Sequence, residues 1–184
     1  KSCLVLSGNL AKYPKEVHLT LGRDVLPSRF LYLLHACAWP PSEKEPVGKI
    51  IVENRAGERR EMTVMNGRDC GNWWNPVRVK NAALAWEGTN ELARLGLYGS
   101  RFYLGDGAAR LTFTSGPASV WMIVAASLSD QLLTPPQEET RTSVMAAGPD
   151  WLPLAFSGHT IPGSPLDFSS FQDAPAGKYG EVIV

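Results

Sequence analysis

The sequence predicts an all-β fold, an antiparallel β-sandwich of the jelly-roll type with an irregular C-terminal extension. The first 130 residues consist of short apolar or alternating segments separated by Gly, Pro and Asn, as is typical of sandwiches and barrels. Helical periodicity is limited to one turn, which residues 91–95 could form before Gly96 and Gly99. A content of 44% hydrophobic residues in a chain of 184 is enough to build one core.

Eight segments have the pattern of β-strands: residues 17–21, 30–39, 49–53, 60–64, 77–86, 95–104, 108–114 and 119–128. The third and fourth of these form the clearest hairpin, because Gly57 in the intervening turn can adopt the positive φ that the turn requires. About eight short strands favour two packed antiparallel sheets, for which a jelly roll is a common solution.

The character of the chain changes after Asp130, and we place a domain boundary there. Residues 1–130 form the predicted sandwich, and residues 131–184 form an extension with recurrent Gly, Pro and Ser that leads toward a further domain. The extension is too apolar for a free linker, so we expect it to lie against the sandwich or against a following domain. Residues 181–184 have the pattern of a strand.

Charge and cysteine content limit the partners. Eighteen Lys and Arg balance eighteen Asp and Glu without a basic run, which argues against nucleic acid and against membrane surfaces as partners. The longest apolar run, residues 120–128, is far shorter than the roughly 20 residues of a membrane-spanning helix. Cys3, Cys37 and Cys70 allow one disulfide or none, and Cys70 is the thiol that we expect to be accessible.

The strings NGRDCGNWW at residues 66–74 and AWEG at residues 85–88 resemble a galactose-binding-like β-sandwich domain that occurs beside bacterial glycoside hydrolases. Residues 164–184 look like the segment that leads into a cellulase-like (β/α)₈ catalytic domain. The resemblance implies a non-catalytic, carbohydrate-binding accessory module of a secreted, periplasmic or cell-surface hydrolase, with the downstream catalytic domain as a partner. Two alternatives stay open: a structural domain that braces the catalytic barrel, and a domain that lends a loop to the neighbouring active site.

Binding of a poly- or oligosaccharide needs flat apolar faces together with planar polar groups. The loop of residues 66–75 has both, with Trp73 and Trp74 beside Arg68, Asp69 and Asn72. In an extended backbone the two indoles point to opposite sides, so we expect one in the core and one available for a ligand. The alternative is that the loop is purely structural, since Trp is usually buried and an Arg-Asp pair often fixes a loop.

A second set of candidate binding residues lies on the strands that follow. Trp86 and Glu87 end a predicted strand, and a structural role is favoured for both. Alternation places Arg101 and Tyr103 on one face, where they would form a second platform for a sugar.

The sequence has no recognisable catalytic constellation. Asp69 and Glu87 could be imagined as a glycosidase acid and base, but no spacing argument places them at the required separation. His35 lies in an apolar run and is expected to be a hydrogen-bonded core histidine. No cofactor is implied, although a structural calcium ion is common in such sandwiches and Asp24 or Asp106 could serve it.

Overall fold

The computed structural model describes residues 3–22, 28–42 and 45–132, and in these ranges the chain forms nine strands and is all-β. The strands are β1 (Leu4–Ser7), β2 (Glu16–Thr20), β3 (Phe30–Ala38), β4 (Pro46–Asn54), β5 (Arg59–Met65), β6 (Ala82–Thr89), β7 (Arg94–Tyr103), β8 (Ala108–Ser115) and β9 (Val120–Ser129). All eight predicted strands are present. The short first strand was not predicted. No helix long and apolar enough to cross a membrane occurs in the described ranges.

The strands form two antiparallel sheets that pack against each other, which confirms the predicted β-sandwich. One sheet has the order β1-β9-β3-β7-β6, and the other has the order β2-β8-β4-β5. Two of the four sheet edges, β5 and β6, flank the region described below. The jelly-roll topology itself stays a prediction.

The core lies between the two sheets and is centred on Trp121 of β9, whose side chain is fully buried. Its ring meets Phe113 of the opposite sheet edge-on, with ring centroids 6.0 Å apart. Gly48 of β4 leaves room for the indole, because a Cβ there would lie 2.5 Å from the Trp121 ring. The apolar sides of strands from both sheets are therefore removed from water together, which is the main stabilising contribution in a sandwich.

The hairpin between β4 and β5 is confirmed, and Gly57 has φ +83° as its turn requires. The single helical turn that residues 91–95 could have formed is absent. The side-chain oxygen of Asn90 accepts the backbone N–H groups of Leu92 and Ala93, and the chain then enters β7 directly. Such an Asx-type turn competes with helix initiation.

The predicted strand at residues 77–86 begins only at Ala82. The residues before it bond to side chains and loops instead of to a neighbouring strand: Val77 donates to the Tyr98 hydroxyl, and Lys80 donates to the carbonyl of Gly67. From residue 133 onward the predicted extension lies outside the described residues. So do the expected strand at residues 181–184 and any contact of the extension with the sandwich.

Candidate functional site

The loop of residues 66–75 is fixed to the sandwich by the carboxylate of Asp69. Asp69 accepts the backbone N–H of Met65 at 3.0 Å, the Asn81 side-chain amide at 3.1 Å and the Arg68 guanidinium at 2.7–2.8 Å. The Asp69 side chain is only 9% exposed. Because its oxygens already have these donors, Asp69 positions the loop and has little capacity left for a ligand.

A buried polar network connects this loop to three strands of one sheet, β7, β3 and β9. Trp121 Nε1 donates to His35 Nδ1 at 2.9 Å, and His35 Nε2 lies 2.7 Å from Ser100 Oγ. Ser100 Oγ in turn donates to the backbone carbonyl of Asp69. Since an indole N–H can only donate, Nδ1 of His35 must be the acceptor and Nε2 must carry the proton.

This network confirms that His35 is a hydrogen-bonded core histidine. Ser100 and His35 lie within hydrogen-bonding distance, as in a hydrolase, but Nε2 carries a proton and cannot act as a base toward the Ser100 hydroxyl. Both side chains are buried, and burial lowers the pKa of His35 to about 4. The arrangement is therefore structural.

A groove of about 890 Å³ opens between β5 of one sheet and β6–β7 of the other. It is lined by residues of both sheets and of the segments between β5 and β6: Tyr32, Arg60, Met62, Thr63, Arg68, Asp69, Lys80, Asn81, Ala82, Ala83, Gly99, Ser100, Arg101, Phe102 and Tyr103. Four of the sequence-predicted site residues belong to this lining: Arg68, Asp69, Arg101 and Tyr103. We call it the β5–β7 groove.

Tyr103 is the most exposed of the aromatic residues that line the β5–β7 groove. Half of its surface is exposed, and its ring packs against Phe30 with centroids 5.5 Å apart. The Arg60 guanidinium lies 5.2 Å from the Tyr103 ring centroid, a cation–π distance. Arg101 and Tyr103 are both exposed and flank buried Phe102, so the predicted alternation on β7 is present.

Asn72, Trp73 and Trp74 lie outside the groove lining. The prediction that the two indoles point to opposite sides was wrong. Their ring centroids are 5.5 Å apart in an edge-to-face contact, and both residues are half-buried. The backbone is not extended here, because Asn72 Oδ1 accepts the N–H of Trp74 and Asn75 has φ +49°. Trp73 packs on a second small cluster formed by Val5, Ala38 and Val120.

Trp86 and Glu87 also lie away from the β5–β7 groove. Glu87 forms an ion pair with Arg94, and both line a smaller groove of about 620 Å³. The Trp86 ring covers Gly88, where a Cβ would lie 2.7 Å from the indole. Asp69 and Glu87 line different grooves and bind different partners, so the structure offers no support for an acid and base pair.

Sequence reasoning missed three residues that line the groove, Arg60, Lys80 and Asn81, and one exposed aromatic residue outside it. Trp39 is 72% exposed and has φ +46°, a conformation that is strained for a bulky side chain. The Pro-Pro pair that follows Trp39 in the sequence marks the end of the apolar run. It was the available signal that Trp39 belongs to a loop.

The expected accessibility of Cys70 was wrong. Cys37 and Cys70 are free thiols, both fully buried in the core, and Cys70 Sγ lies 3.7 Å from the carbonyl oxygen of Gly71. Burial raises the pKa of Cys70 well above its ordinary value. Of the two residues considered for calcium, Asp106 is paired with Arg29 at 2.8 Å, and Asp24 lies outside the described residues.

The chain was compared with protein-family models, with curated proteins and with solved structures, and no match was found in any of the three. The resemblance to galactose-binding-like domains thus stays an expectation from the sequence. The function has to be argued from the geometry of the β5–β7 groove.

Proposed function

We propose that this chain is a non-catalytic carbohydrate-binding module that holds a poly- or oligosaccharide in the β5–β7 groove. The observation that carries the proposal is the position of Tyr103, half exposed within a groove whose lining combines apolar surface with charged and amide side chains. Sugar rings present an apolar C–H face and an equatorial rim of hydroxyls. An aromatic face surrounded by fixed donors and acceptors complements both.

The polar groups near Tyr103 suit paired hydrogen bonds to neighbouring hydroxyls. Arg101 projects from the same face of β7, and a guanidinium presents its N–H donors as a planar fork. Arg68 and Asn81 line the groove and are held in place by hydrogen bonds to Asp69, so their side chains are pre-ordered. This pre-ordering lowers the entropy that a bound sugar would otherwise have to offset.

The same lining argues against glycoside hydrolysis in this groove. Most glycosidases use two carboxyl groups on either side of the scissile bond. Among the residues that line the β5–β7 groove, Asp69 is the one carboxylate, and its oxygens bind Met65, Arg68 and Asn81. The lining therefore contains no second carboxyl group with which Asp69 could form a glycosidase pair.

Isothermal titration calorimetry against a panel of soluble polysaccharides tests the proposal, with Tyr103→Ala as the variant and Trp39→Ala as the matched control. Both residues are exposed aromatics, but only Tyr103 lines the groove. Loss of one stacking platform is expected to weaken binding at least about tenfold in Tyr103→Ala. The control should bind like the wild type.

Two outcomes would overturn the proposal. One is the absence of binding across the panel by a folded wild-type protein. The other is binding that Trp39→Ala abolishes and Tyr103→Ala leaves unchanged, which would place the sugar at the Trp39 end of the sandwich. Circular dichroism and thermal unfolding of each variant ensure that a loss of binding is not a loss of fold.

A bracing role toward a neighbouring catalytic domain of the same chain is the second candidate function. The exposure of large apolar side chains outside the groove favours it: Trp39 is 72% exposed, Val77 66%, Leu92 82% and Leu132 61%. This role predicts that Trp39→Ala in the full-length protein accelerates proteolytic separation of the domains while leaving sugar binding intact. Unchanged cleavage by the protease would argue against a contact through Trp39.

A further inference from the structure

We infer that the sugar held in the β5–β7 groove is anionic, bearing carboxylate or sulfate groups. The inference rests on the proposed function and specifies its ligand class. Four cationic side chains line the groove, Arg60, Arg68, Lys80 and Arg101, against the single carboxylate of Asp69.

The positive charge is local and not a property of the whole chain. Lys and Arg number eighteen, and Asp and Glu also number eighteen, so the sequence is neutral overall. An excess of cations in one groove of a neutral protein raises the local concentration of anions there.

The four cations differ in how far other groups already occupy them. Arg68 is committed to Asp69 and to the carbonyl of Thr63, which it meets at 2.7 Å. Arg60 lies over the Tyr103 ring and close to the sulfur of Met62, and neither contact neutralises its charge. Within the described part of the chain, no carboxylate pairs with the side chain of Lys80 or of Arg101.

The placement of these cations matches a sugar acid that stacks on Tyr103. Arg101 is two residues before Tyr103 on the same face of β7, so roughly 7 Å separates their Cα atoms. Arg60 lies over the Tyr103 ring in a cation–π contact, so a pyranose stacks on that face only after the guanidinium swings aside. The displaced Arg60 and Arg101 then offer guanidinium groups for a carboxylate or sulfate on that sugar, which such groups bind in a bidentate manner.

Two pairs of polymers that share a backbone and differ in charge test the inference directly. Polygalacturonate is compared with its methyl-esterified form, and dextran sulfate is compared with dextran, by isothermal titration calorimetry at low and high salt. The first pair detects recognition of carboxylate and the second detects recognition of sulfate. We expect at least one charged polymer to bind about tenfold or more tightly than its neutral partner, with the difference reduced by salt.

Charge-neutralising variants locate the effect. Arg101→Gln and Lys80→Gln should each weaken binding of the charged polymer about three- to tenfold while leaving thermal stability unchanged. Arg110→Gln is the matched control, because Arg110 is exposed on β8 and does not line the groove. It should bind like the wild type.

The outcomes separate this inference from the function on which it rests. Equal affinity for the charged and neutral forms, with both lost in Tyr103→Ala, would overturn the anionic specificity and retain the carbohydrate site. If none of the four polymers binds, both the anionic specificity and the carbohydrate site are overturned for polygalacturonate and dextran backbones. A single-stranded oligonucleotide that binds as tightly and competes for the groove would show a general polyanion site and would also overturn the inference.

Discussion

Acidification should destabilise the fold through His35 at a pH where most other groups are unaffected. In the folded protein, burial lowers the pKa of His35 to about 4, and both ring nitrogens are occupied by Trp121 and Ser100. In the unfolded chain, a histidine titrates near 6.5. Between these two values the unfolded state binds more protons than the folded state, so stability is present above pH 6.5 and is lost as the pH falls toward 4.

The size of the effect follows from the difference between the two pKa values. A difference of about 2.5 pKa units corresponds to roughly 3 kcal/mol when His35 is fully protonated in the unfolded state and still half neutral in the folded state. By pH 5 the loss should already be about 2 kcal/mol relative to pH 7. That is a large share of the stability of a typical domain.

Urea unfolding at pH 7, 6 and 5 measures this loss, with His18→Gln as the control. His18 binds Glu16 and Thr112 on the other sheet, so its replacement leaves the hydrogen bonds of His35 in place. Nitrogen-detected NMR of the imidazoles provides an independent measurement on the wild type. A His35 that titrates near 6.5, or that carries its proton on Nδ1 at pH 7, would refute the proposed network.

Three further predictions concern packing, the thiols and the strained tryptophan. Gly48→Ala should lower the free energy of unfolding, measured in urea, by about 1–3 kcal/mol, because the new Cβ meets the buried indole of Trp121. Gly22→Ala is the control and should lower it far less, because a Cβ at Gly22 would have nothing within 4 Å. The rate of alkylation of Cys37 and Cys70, measured by mass spectrometry, should be on the order of a hundredfold lower in the native protein than in denaturant. Rapid alkylation of the native protein would show that the loop of residues 66–75 opens. Trp39→Gly should leave the free energy of unfolding in urea nearly unchanged, because relief of the positive φ offsets the added freedom of the unfolded chain. A decrease of more than about 2 kcal/mol in this free energy would show that the indole packs against the protein.

The strands could be predicted because their signal is local. Alternation and apolar runs followed by Gly or Asn reveal a strand whatever it pairs with, and segments such as residues 30–39 and 95–104 fall within one residue of β3 and β7. The four-residue strand β1 is too short for alternation to be distinguished from chance. The start of β6 was missed because the Tyr98 hydroxyl, which lies 21 residues away in the sequence, binds the backbone of Val77.

The groove was beyond local reasoning because it forms where edge strands of two different sheets approach each other. Arg101 and Tyr103 could be placed on one face of a strand, but Arg60 comes from β5, about 40 residues earlier in the sequence. Asp69 was expected to bind a ligand. Its carboxylate instead binds the nearby N–H of Met65, a contact that depends on how the loop turns and not on residue type.

The pairing of β1 with β9 has a consequence for the order in which the chain can fold. Leu4 of β1 lies opposite Ile123 of β9. Among the described residues β9 is the one strand that pairs with β1, so β1 can pair only after almost all of the described sequence has been synthesised. Strand β3 likewise waits for β7 and β9, whereas the hairpins β4–β5 and β6–β7 close locally. High contact order of this kind slows folding. During synthesis β1 and β2 remain unpaired longest, because their partners β9 and β8 lie about 90 or more residues later in the sequence. The fully buried β1 is the segment that we expect molecular chaperones to bind first.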